Sequence, residues 1–115
     1  MSFLMQFPDD DNGQLLAEIA AEGIDLNKMH QVDFYILFEQ QADAEKFAKE
    51  IVTDALVQNA KIEKCTETGV WEVIAQVQMV PEHTLLGQAE QYIESIANSS
   101  NGYGDGWGLM DSEEA

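Results

Sequence analysis

The stretch Val32-Asp33-Phe34-Tyr35-Ile36-Leu37-Phe38 decides how this chain is read. It is aromatic and β-branched, and apolar at nearly every position rather than at alternate ones. A strand with water on one face alternates. A run like this one reads as a central strand covered on both faces.

Upstream, Asp9-Asp10-Asp11-Asn12 precede Leu15, Leu16, Ile19 and Ala20 at helical spacing, and Gly23 supplies a stop. Acids suit a helix start, where Asp11 or Asn12 is expected to cap free amides. Downstream, Ala44, Phe47, Ala48, Ile51 and Ala55 form an apolar stripe that predicts a helix from about Asp43 to Gln58. Residues 60–67 place Ile62 among Lys61, Glu63 and Lys64, the pattern of an edge strand blunted by lysine. After the turn Thr68-Gly69, residues Trp71, Val73, Ala75, Val77 and Met79 alternate with polar neighbours, giving a long strand hairpinned to the last. Pro81 ends it. Leu85, Leu86, Ala89, Ile93, Ile96 and Ala97 predict a helix from about Glu82 to Asn98, and residues 103–108 a short final strand.

The order is a helix followed by β-α-β-β-α-β. Two β-α-β crossovers sharing a hairpin give an α+β fold, the ferredoxin-like sandwich, with an additional N-terminal helix. That extra helix is expected to cover part of the sheet's second face, leaving Tyr35, Leu37 and Ile74 as apolar residues on that side. We expect one domain over residues 1–110 and a short acidic tail, 111–115.

The charge is lopsided. The 115 residues hold 22 acids against five lysines and no arginine, a formal net charge of −17. All five lysines fall within residues 28–64, so both ends of the chain are purely acidic. Such a field repels nucleic-acid backbones and anionic membranes, so neither is an expected partner, whereas a basic protein segment is. No apolar run approaches the ~18 residues of a membrane span, and the N-terminus lacks a basic, long-apolar leader. The lone Cys65 cannot form an internal disulfide, which fits a reducing, cytoplasmic setting.

Catalytic chemistry finds little purchase. His30 and His83 stand in no catalytic spacing, Cys65 lies on an expected edge strand, and one cysteine with two scattered histidines is too few for zinc. No enzyme, cofactor or metal is expected. Asp9-Asp10-Asp11-Asn12-Gly13 suggests a calcium loop, but its fifth position is Gly13 and its twelfth Ala20, so the oxygen ligands fail. The glycine-rich end, Tyr103-Gly104-Asp105-Gly106-Trp107-Gly108, opens no helix and is no nucleotide loop. As an extended strand it places Tyr103, Asp105, Trp107 and Leu109 on one face. Two readings follow: a terminal strand anchored by its rings, or a recognition surface of two amphipathic rings beside an acid. Tyr103, Asp105 and Trp107, with Asp9, Asp10 and Asp11, are the candidate partner-binding residues.

Several of these segments resemble a known family. Phe7-Pro8-Asp9-Asp10-Asp11-Asn12-Gly13, Gly23-Ile24-Asp25-Leu26, Val32-Asp33-Phe34, Met79-Val80-Pro81 and above all Asp105-Gly106-Trp107-Gly108 are similar to the regulator of ribonuclease E activity B family. The resemblance spans nearly the whole chain. It implies a ferredoxin-like fold and a bacterial cytoplasmic protein that binds the endoribonuclease RNase E and inhibits RNA cleavage without being a nuclease. The alternative is a small-ligand or divalent-cation binding domain. A homo-oligomer is allowed but not predicted.

Overall fold

The computed structural model describes residues 10–110, apart from the side chains of Asp11 and Met110. Helix α1 spans Asp11–Ala21, strand β1 His30–Phe38, helix α2 Gln41–Ile51, strand β2 Asn59–Lys64, strand β3 Trp71–Met79, helix α3 His83–Asn98 and strand β4 Tyr103–Met110. Among the described residues, no helix is long and apolar enough to cross a membrane.

The strands form one sheet in the order β2-β3-β1-β4, every neighbouring pair antiparallel. This is the interleaved α+β arrangement expected from two β-α-β crossovers. β1 is central as expected, but the expected cover on both faces is corrected: among the described residues, helices pack on one face only, because α1 does not reach the other. Its even-numbered residues Val32, Phe34, Ile36 and Phe38 are buried against α2 and α3, together with Val73, Ala75 and Val77 of β3. Phe47 and Ile51 of α2 and Leu86 and Ile93 of α3 complete the layer, with the Phe38 and Phe47 rings 5.3 Å apart.

Helix α1 begins on Asp10, whose carboxylate accepts the Gly13 N–H at 2.7 Å, so Asp10 and not Asp11 or Asn12 is the cap. The chain leaves α1 through Gly23 at φ +94, a conformation that glycine takes without strain. The expectation that α1 covers the sheet's second face is corrected. It packs on α3 instead, inserting Leu16 into the core. Asn12 and Asp10 tether it there, bonding to Glu90 and His83 of α3.

Helix α2 stops at Ile51, seven residues before the expected end at Gln58. Local side-chain bonds explain the early stop. The Thr53 hydroxyl donates back to the Glu50 carbonyl at 2.7 Å, and the Asp54 carboxylate accepts the Leu56 N–H at 3.0 Å. Such bonds offer the backbone an alternative to the next helical turn. Val57 is then buried in the core from an irregular segment. β2 is likewise shorter than residues 60–67, because Cys65 begins the hairpin loop and Gly69, at φ +77, closes it. β4 runs beyond residue 108, to Met110.

Candidate partner-binding surface

The glycine-rich strand β4 is the outer strand beside β1. Phe34 pairs with Trp107, but Ile36 pairs with Gly104, so β4 carries one residue more than β1 between them. The result is a bulge at Asp105-Gly106 opposite Tyr35, with Gly106 at φ +101. A bulge shifts the alternation of side chains by one. Tyr103 therefore faces the same side as Leu37, on the sheet surface away from the helices, while Trp107 stands beside Phe34 in the core. The expectation that Tyr103, Asp105 and Trp107 share one face is thus corrected: the extra residue separates the two rings.

Trp107 is 6 % exposed, so it anchors the strand rather than presenting a ring to a partner. Its indole N–H donates to the Asn12 side-chain oxygen at 2.8 Å, and the Asn12 amide donates to Glu90 at 3.2 Å. Above it, a cleft of about 630 Å³ brings Asp10, Glu90 and Asp105 together around Asn12 and Trp107. Asp10 lies 2.9 Å from His83. The Gly13 N–H, and next His83, hold the Asp10 carboxyl below its usual range. Asp9 and the side chain of Asp11 lie outside the described residues.

Asp105 is exposed and also lines a second cleft, about 480 Å³, over the helix-free sheet face. Across that face Glu63, Glu72, Leu37 and Tyr103 form one row, one residue from each strand in the order β2-β3-β1-β4. The next row holds Lys61, Ile74 and Tyr35. Partial burial, then Glu63 and Asp105, push the Glu72 carboxyl up. Burial, then Asp33, Glu72 and Glu63, raise the Tyr35 hydroxyl. Tyr35 and Leu37 were legible as open-face residues from the alternation of β1. Glu63, Glu72, Asn12 and Glu90 are not legible in the sequence as site residues, because only the pairing register and the seat of α1 bring them to Asp105. Among the described residues, no three His, Cys, Asp or Glu side chains come together as a metal set.

A search of the curated proteins finds no match. Against protein families, residues 9–109 match the model described as regulator of ribonuclease activity B, a span that takes in the β-α-β-β-α-β core, helix α1, the Asp105-Gly106 bulge and Trp107. The chain belongs to the regulator of ribonuclease activity B family.

Proposed function

We propose that this chain is a non-catalytic acidic regulator that binds a basic segment of an RNase E-type endoribonuclease and so restrains RNA cleavage. Its family is one of ribonuclease regulators, and the observation that carries the mechanism is the distribution of charge. Four of the five lysines lie on α2 or β2, and Lys28 lies in the loop before β1. The opposite edge, made by β4 with α1 and α3, has no lysine or arginine. The chain's fixed carboxylates compete with the RNA backbone for the partner's cationic side chains, and the field, strongest at that edge, guides the encounter. The working unit is the single domain of residues 1–110, acting in the cytoplasm, with residues 111–115 as an acidic extension.

Affinity capture from bacterial extract at two salt concentrations tests this. An RNase E-type enzyme should be retained at low salt and released at high salt. Failure to retain a ribonuclease, or retention indifferent to ionic strength, rejects the proposal.

A further inference from the structure

The sheet row Glu63, Glu72, Leu37 and Tyr103 has an unusual composition for a solvent-facing surface. Glu63 and Glu72 are direct cross-strand partners, and like charges placed opposite each other destabilise a sheet. Asp105 adds a third carboxylate at the rim of the same cleft. Among the described residues none of the three is in an ion pair. The nearby Lys64 offers its ammonium to the Trp71 ring, 5.6 Å from the centroid, instead of to them. Beside the acids lie Leu37, half-buried, and Tyr103, 43 % exposed. No helix among the described residues covers them, since α1 sits on α3.

We infer that this row, with Asp105, is the docking surface for a basic amphipathic segment of a partner protein, whose apolar side chains rest on Leu37 and Tyr103 while its arginines or lysines reach Glu63, Glu72 and Asp105. The inference rests on the proposal that the partner is a basic protein, and it names the surface. Charge selects the occupant. A second copy of this chain would bring the same carboxylates against each other, and Lys61 with the cleft-lining Lys64 still leaves the surface of each copy net acidic against Glu63, Glu72 and Asp105. A cationic segment removes the repulsion that the sheet carries when empty, and arginine combines a planar charged fork with an apolar stem suited to the Leu37 floor.

The test uses the full chain and a synthetic peptide alternating leucine with arginine. Amide shifts on titration should cluster on β1, β2, β3 and the Asp105-Gly106 bulge. The pair Glu63→Gln and Glu72→Gln should weaken peptide binding by about tenfold or more, because partly desolvated charge contacts are lost. It should also raise Tm, which excludes misfolding as the cause. The charge-matched pair Glu45→Gln and Glu50→Gln, both exposed on α2 and so on the far side of the sheet from the row, should change binding by less than about twofold, as expected for screened surface charge. Equal weakening by both pairs, or shifts spread over all acidic segments, would overturn the surface. So would a wild-type dimer in sedimentation that buries the row. A purified RNase E-type enzyme that binds wild type and the Glu63/Glu72 variant equally also overturns it, while leaving the proposed function standing. An enzyme that ignores wild type, with the peptide still mapping to the row, upholds the surface and removes the proposed function.

Discussion

Glu72 stands between Glu63 on one side and Leu37 on the other, half-covered and without a cation. Its carboxyl is pushed above the ordinary value of 4.5, first by burial and then by Glu63 and Asp105. An acid raised in the folded state holds its proton more readily folded than unfolded. Its favourable contribution is therefore complete below the ordinary value and is lost as pH rises through the raised one. At neutral pH the ionised Glu72 costs stability, and Glu72→Gln removes that cost. Opposed like charges are worth about 0.2–1 kcal/mol, so Tm should rise by roughly 1–6 °C at pH 7. The gain should vanish near pH 4, where Glu72 is protonated in the folded protein; thermal scans at the two pH values decide. Trp107 makes the opposite case. Its ring is core and its indole N–H is committed to Asn12. Trp107→Ala should cost about 3–5 kcal/mol in urea denaturation. Trp107→Phe should cost less but leave Asn12 without its donor.

The elements differ in how openly the residues announce them. The unbroken apolar run of β1, the alternation of β3 and the apolar stripe of α3 are each clear signals, and all three elements form where expected. The end of α2 was not legible, because Ala55 continues the helical stripe while Thr53 and Asp54 break the helix through their own side-chain bonds. The bulge in β4 was hidden for a different reason. Alternating glycines say that backbone is free to bend, not where the extra residue goes, and the pairing with β1 alone sets it. This one residue moved Trp107 from the candidate recognition face into the core and left Tyr103 and Asp105 on the surface side. The bulge has its own test. Gly106 sits at φ +101, where a Cβ would meet no neighbour but the backbone itself is strained for other residues. Gly106→Ala should destabilise by about 1–2 kcal/mol, measured by urea denaturation, despite the open space around it. Gly102 contrasts with it: there a Cβ would fall 2.3 Å from the Phe38 ring, so crowding rather than φ requires glycine.

At the scale of the whole molecule, charge dominates. A chain of −17 with no arginine repels itself, and the lysine-free β4, α1 and α3 side concentrates that field. Salt should relieve part of the strain. Raising ionic strength from about 0.01 M to about 0.15 M shortens the screening length from roughly 30 to 8 Å, so Tm should rise over that range, the reverse of a protein held together by surface ion pairs. The same field disfavours nucleic-acid backbones and anionic membranes on Coulombic grounds, but composition alone does not locate a docking surface. The count of acids is a property of the chain, whereas the Glu63–Glu72–Leu37–Tyr103 row exists only through the pairing of four strands. The most direct test of this account is the cleavage of an end-labelled RNA by a purified RNase E-type enzyme, titrated with this protein at low and at high salt. The expected result is cleavage that falls as the protein is added, recovers when salt is raised, and is absent when the protein is incubated with RNA alone. Cleavage unchanged at saturating protein, or RNA cut by the protein itself, would contradict it.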